Sequence, residues 1–501
     1  MKKNVLALSI AAMVGGLGFV GSASAALSVA ESGTGHMLLV PYFNAQNGNM
    51  TVFHVVNTDT TKGKAVKVRF RGASNSDDVL DFQVFMSPGD VWTAAVTQGA
   101  DGVANLVTAD GTCTLPAISK NVPVSFVTDR LPSTMSAADK ANNTREGYVE
   151  IFNMADIDNA DTYGSPAGKS ALYKATKHVN GVAPCTDSVL QGTLAWDHTT
   201  ASTTTGLLKP TDGLTGSWYI INVPQTTTFS GAANAIRSDA AAGDTKNVFS
   251  AQTTGAPAAG MLSADPLFKT GVLTAQKYDV PDLSTPYDTT YATAEDQAIA
   301  LTTALAHTKV INQYANDASI TAKTDWVFSM PTRRYSIAAN YKAPIGTGFL
   351  TVSGWGAALA ADKAAAYRVI NDGVTGSYFV TDTNTTVNAL GQICTNAKGQ
   401  TFYDREETSK SAGAVFSPGQ VSVTQLCGEV SVLSFADAGA SVLGGSVART
   451  NVNGAYVNGW GEIEFTAGVP VLGSSFIKLS NPSATAGTSG TYGITWPHAY
   501  K

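Results

Sequence analysis

Residues 36–96 read HMLLVPYFNAQNGNMTVFHVVNTDTTKGKAVKVRFRGASNSDDVLDFQVFMSPGDVWTAAV, and this stretch decides the fold. It divides into five short apolar-rich runs: HMLLVPYF, MTVFHVVN, AVKVRFRG, VLDFQVFM and DVWTAAV. In the third, Val66, Val68 and Phe70 alternate with Lys67, Arg69 and Arg71. Side chains alternate across a strand, so the pattern predicts a half-buried strand with one wet, basic face. The fourth run places Leu80, Phe82, Val84 and Met86 inward, with Asp81 and Gln83 outward. Turn residues separate the runs at Asn57–Gly63, Gly72–Asp78 and Ser87-Pro88-Gly89. Short strands at this spacing predict an antiparallel sandwich of the immunoglobulin kind.

Outward from that stretch, the first segment is Met1-Lys2-Lys3, an apolar run from Val5 to Val20, then Ser22-Ala23-Ser24-Ala25. A charged start, a short apolar run and a small-residue site predict a secretory signal peptide over residues 1–25. Residues 26–112 are then expected to form the N-terminal sandwich. Residues 113–501 follow as a larger β-rich domain, with loop and helix insertions over about 155–320. No later stretch is apolar for long enough to span a bilayer as a helix. MTVFHVVN is apolar on both faces, which argues against a lipid-facing barrel strand. Net charge is −6 and only 14% of residues are charged, so nothing basic enough to neutralise phosphates points to nucleic acid.

The four cysteines are Cys113, Cys185, Cys394 and Cys427. None forms a C-x-x-C or Cys/His zinc pattern. In an exported chain an even count favours disulfides, and three pairings are possible. Sequence proximity favours Cys113–Cys185 and Cys394–Cys427, each stabilising by about 4 kcal/mol. Further on, Thr293–Tyr314 reads as the best helix, with Ala298, Leu301 and Leu305 on one stripe against a sheet. GYVEI at 147–151 and GWGEI at 459–463 are alike; this is a chance echo or a pair of equivalent strands, too short to establish a repeat.

Chemistry-bearing candidates are few. Asp156, Asp158, Asn159 and Asp161 offer the hard oxygen donors that calcium takes, without the glycine and glutamate of the helix-loop-helix motif. Lys67, Arg69 and Arg71, with Lys62 and Lys64, form a basic edge suited to anionic glycan. Glu150 and Glu462 suit glycoside hydrolysis only if their strands meet. Trp196-Asp197-His198 sets an acid beside a histidine, but neighbours in a strand point to opposite faces. Trp218, Tyr219, Trp326, Trp355 and Trp460 are aromatics that either stack on sugars or fill the core. Nucleophile-elbow, phosphate-loop and H-E-x-x-H motifs are lacking, which argues against an enzyme.

Three segments carry a resemblance: residues 36–94, TDWVFSMPTRRY at 324–335, and the tail TSGTYGITWPHAYK. Together they resemble a group of exported proteobacterial cell-surface, surface-layer-like proteins. The resemblance implies an extracellular or cell-surface location, with the periplasm as the alternative. It implies no catalytic residues. The expected function is a non-catalytic structural or interaction protein that assembles with itself and with envelope glycan, through sandwich faces and edges. No cofactor is expected, calcium being the one candidate. The alternative is an extracellular or periplasmic carbohydrate-binding protein or glycoside hydrolase.

Overall fold

The computed structural model describes residues 27–159, 170–196, 206–239, 291, 294–336, 345–351, 367–371, 385–411, 424–435, 441–452, 457–481, 483–485 and 490–501. The expected signal peptide, Asp161, Asp197, His198 and Trp355 lie outside them. The protein is mostly β, with several antiparallel sheets and few short helices.

The first half builds two sheets. Its strands are β1 (Leu27–Val29), β2 (Met37–Asn44), β3 (Asn49–Asn57), β4 (Gly63–Gly72), β5 (Asp78–Met86), β6 (Val91–Gln98) and β7 (Ala104–Val107). They continue as β8 (Cys113–Leu115), β9 (Val124–Ser125), β10 (Glu146–Ile157), β11 (Leu207–Leu208), β12 (Leu214–Asn222), β13 (Thr227–Ala232) and β14 (Asn234–Ser238). One sheet runs β1-β14-β2-β10-β4-β5-β8, with β11 beside β10; the other runs β13-β12-β3-β6-β7-β9. Both exceed the three- and four-stranded sheets of a constant-type immunoglobulin domain. The expected boundary at residue 112 falls inside this unit, because β10 lies between β2 and β4, and β12 pairs along all of β3. Between the sheets sit Val40, Val66, Val68, Phe70, Phe82, Trp92 and Trp218, the alternating apolar positions of their strands.

The other face of the first sheet corrects the reading of β4. Lys67, Arg69 and Arg71 do lie opposite Val66, Val68 and Phe70, but all three are fully buried. Helices α1 (Ala137–Asn143), α2 (Ala171–Thr176), α3 (Asp187–Gly192) and α4 (Ala294–Ala304) punctuate the chain. Leu172 and Tyr173 of α2, Leu190 of α3, and Ala298 and Leu301 of α4 join Met37, Leu39, Phe85, Phe152 and Met154 in a second core on that face. Beneath this cover the charges pair sideways. Lys67 Nζ lies 3.0 Å from Asp81 Oδ1, Arg71 Nε donates to Glu150 Oε2 at 3.1 Å, and the Arg69 guanidinium stands 5.2 Å over Phe152. Burial pushes the Lys67 ammonium below its ordinary value, against the pull of Asp81. A strand inside two covers carries no wet face, and the period-2 pattern alone does not separate the two cases.

The second half begins where α4 ends, shorter than expected: Ala306–Ala315 is strand β15, with Val310 and Tyr314 buried on one face. Then come β16 (Lys323–Ser329), β17 (Ile345–Thr351), β18 (Tyr367–Asn371), β19 (Thr385–Val387), β20 (Ile393–Asn396), β21 (Gly399–Tyr403) and β22 (Ser409–Ser411). The last are β23 (Gln425–Cys427), β24 (Val430–Ser434), β25 (Arg449–Asn451), β26 (Asn458–Pro470), β27 (Leu472–Ser480), β28 (Thr491–Pro497) and β29 (Ala499–Tyr500). The main sheets are β22-β21-β26-β15-β29 and β25-β24-β16-β27-β28. Trp326, Phe328, Phe402, Leu433, Phe435 and Ile463 form a core of this half, while Val327, Val432 and Phe476 join the core of the first half.

A loop at residues 441–448 joins the halves. Leu443 N donates to Asp325 Oδ2 at 3.0 Å, and Asn44 and Asn49 both donate to Leu443 O. Ser446 N donates to Glu146 Oε1 at 2.7 Å. Burial pushes the Glu146 and Asp325 carboxyls up, and these hydrogen bonds partly offset it. Both expected disulfides are present, Cys113–Cys185 and Cys394–Cys427. The first ties β8 to the segment between α2 and α3; the second joins register partners on β20 and β23.

Candidate functional site

The strongest candidate lies on the β21-β26-β15 sheet, on the face away from its core. Ile463 and Phe465 of β26 point inward, so Trp460, Glu462 and Glu464 point outward. Register puts three rows across the strands: Tyr403–Trp460–Gln313, Thr401–Glu462–Ile311 and Gly399–Glu464–Lys309. In the first row Tyr403 and Trp460 stack, with ring centroids 4.2 Å apart and planes at 10°. In the third, Lys309 Nζ reaches Glu464 and, across rows, Glu462, each at 2.8 Å. Hydrogen bonds to these carboxylates hold the Lys309 ammonium above its ordinary value.

Glycine sets the aromatic row. A side chain on Gly459 would place its Cβ 1.8 Å from Tyr403 O, and one on Gly461 would meet the Phe402 ring at 2.4 Å. Only glycine admits this approach of β21 to β26. The echo at Gly147 has the same cause: its Cβ would lie 1.8 Å from Arg71 O on β4. GYVEI and GWGEI thus sit on central strands of different sheets, each glycine abutting a neighbour's carbonyl, each Glu paired to a cation.

The C-terminal segment makes another wall. β28 edges one sheet, β29 edges the other, and His498 plugs the corner between them. Its Nδ1 faces Asn312 Nδ2 at 2.8 Å and its Nε2 faces Val327 O at 2.9 Å. A carbonyl only accepts, so Nε2 carries the proton and Nδ1 accepts from the amide. Burial holds this imidazole neutral, its pKa lowered to about 3. The plug sets Trp496, Pro497 and Ala499 beside Ile311. The result is an open groove of about 990 Å³, lined by Trp460, Tyr403, Gln313, Ile311 and Trp496, with Asp404, Arg405 and Glu407 at one end. Trp460 and Trp496 are 40% and 46% exposed. Neither indole, nor the Gln313 amide, hydrogen-bonds another described residue through its side chain.

The other candidates fall elsewhere. Asp156 is fully buried and its carboxylate accepts from Lys64 Nζ at 3.0 Å, Thr211 Oγ1 at 2.6 Å and Asn153 Nδ2 at 2.7 Å. It serves as the counter-ion of Lys64. Asp158 and Asn159 follow at the end of β10, and no cluster of three or more His, Cys, Asp or Glu suited to a metal occurs among the described residues. Glu150 and Glu462 lie on β10 and β26, which belong to different sheets, and each has its own cation. Trp218 and Trp326 are core residues whose indoles donate to Ala232 O and Gln313 O. Tyr219 is half-buried against His54. Of the five aromatics singled out in the sequence, Trp460 lines the groove. Trp496, Tyr403 and Gln313 are not singled out by any motif, although Tyr492 and Trp496 fall on one face of the tail strand.

Comparison with family models, with characterised proteins and with solved structures finds no match.

Proposed function

We propose that this chain is an exported cell-surface interaction protein that works by binding rather than by catalysis, with the Trp460–Trp496 groove as its recognition face. One observation carries the reading: two large aromatic side chains, Trp460 from one sheet and Trp496 from the other, stand half in solvent in the lining of one groove. Exposed aromatics gathered in a concavity are a mark of recognition surfaces. The two disulfides fit an oxidising compartment, and no helix among the described residues is long and apolar enough to cross a membrane. The basic strand β4 gives no support to attachment, since its charges are buried. The test is co-sedimentation of purified protein with isolated cell envelopes, comparing wild type with the Trp460→Ala/Trp496→Ala variant. Loss of binding with an unchanged melting temperature supports the reading.

A further inference from the structure

Resting on that reading, we infer that the ligand of the groove is a glycan chain, held by stacking against Trp460 and Trp496 and by hydrogen bonds to Gln313 and Arg405. The groove's chemistry is defined by what it offers and what it withholds. Its floor is β15, paired to β26 along most of its length and to β29 at Val310 and Ile311. Beyond these, Gln313 N donates to Asn312 Oδ1, and Gln313 O accepts from Trp326 Nε1 and Ser475 Oγ. Ala315 N donates to Thr324 Oγ1, and Ala315 O accepts from the same hydroxyl. The floor therefore presents no strand edge for an extended peptide to join, the usual main-chain route of peptide capture. Recognition must come from side chains alone.

Those side chains are of two kinds. The first is the indole, an apolar face with a polar N–H at its rim, matched to a ring with C–H groups on its faces and hydroxyls at its edge. Trp460 stands on β26 and Trp496 on β28, the edge strand of the other sheet, and both line the groove with Ile311 and Gln313 of β15. The second kind is a planar amide and a planar guanidinium, Gln313 and Arg405, both exposed. Such forks donate to paired hydroxyls or to a carboxylate. Arg405 stands between Asp404 and Glu407, so the end of the groove has no excess of positive charge. That excludes a polyphosphate or nucleic-acid occupant, which requires a basic surface. The groove is open and its walls carry polar rims, unlike an enclosed apolar slot for a lipid chain. A neutral or lightly acidic oligosaccharide satisfies every one of these surfaces.

The test is tryptophan-fluorescence titration of the purified chain with soluble hexasaccharides of β-linked glucose and N-acetylglucosamine and with oligosaccharides released from the envelope. The expected result is saturable binding of at least one, weakened tenfold or more in Trp460→Ala and in Trp496→Ala, and retained in Trp460→Phe. A distant control, Trp196→Ala, keeps wild-type affinity. Failure of all oligosaccharides at millimolar concentration overturns the glycan assignment. If envelope binding still depends on Trp460, the groove remains the recognition face with a different ligand. If neither oligosaccharide nor envelope binding responds to Trp460 and Trp496, both readings fail.

Discussion

Lys67 shows how a residue's neighbours, rather than its type, decide its role. Alternation along β4 is legible in the sequence, and the side chains fall on the faces it predicts. What alternation lacks is any sign of a second layer on the polar face. That layer comes from α2, α3 and α4, far along the chain, and its counter-ions come from β5 and β10. Lys67→Glu therefore sets a second carboxylate beside Asp81 in a dry layer and is expected to cost about 4 kcal/mol or more, measured by urea unfolding. Unchanged stability would put that side chain back at the surface. His498 gives a pH signature. Its folded pKa is about 3 against an ordinary 6.5, so the unfolded chain binds the proton first. Stability present above about pH 6.5 is then lost as pH falls toward 3. Between pH 8 and pH 5 this one group accounts for about 2 kcal/mol. The His498→Gln variant is expected to be less stable at pH 8 and to lose less on going to pH 5. A variant as acid-sensitive as wild type would mean that His498 is already charged in the folded protein. Glu146 and Asp325 act with the opposite sign, since their raised values make stability fall as pH rises, and both remain in the variant.

Individual strands are easier to read than their partners. The runs at β2–β6 are where the sequence puts them, because period-2 alternation and turn residues act locally. The helix predicted to Tyr314 stops at Ala304, where Val310, Asn312 and Tyr314 begin to alternate inward as β15. The stripe that identified the helix, Ala298, Leu301 and Leu305, is buried as expected. The groove is half legible. Trp460 stands out beside Ile463 and Phe465, but nothing local says that β21 and the tail flank it. Gly459 is the residue that makes the aromatic row possible. The Gly459→Ala substitution must push β21 from β26 and is expected to cost roughly 1–3 kcal/mol and to weaken groove binding. Thermal unfolding and envelope co-sedimentation check it; a Gly459→Ala variant with wild-type stability would contradict the close approach.

At the scale of the molecule, sheet partners come from distant sequence, so the expected cut at residue 112 falls inside one pair of sheets. β10 and β12 complete the first pair of sheets, and Val327, Val432 and Phe476 of the second half extend the same core. Non-local pairing of this kind leaves no composition shift to mark it. The same architecture explains why the proposed working surface lies in the C-terminal half. The basic strand of the first half is enclosed, whereas the sheet of β21, β26 and β15 keeps one face open, walled by the tail. The decisive quantity is the affinity of the purified chain for isolated cell envelopes, with and without Trp460 and Trp496. Wild type is expected to bind saturably, and Trp460→Ala/Trp496→Ala to lose tenfold or more at equal melting temperature. Equal affinity of the folded variant and wild type would mean that the groove is not the recognition face.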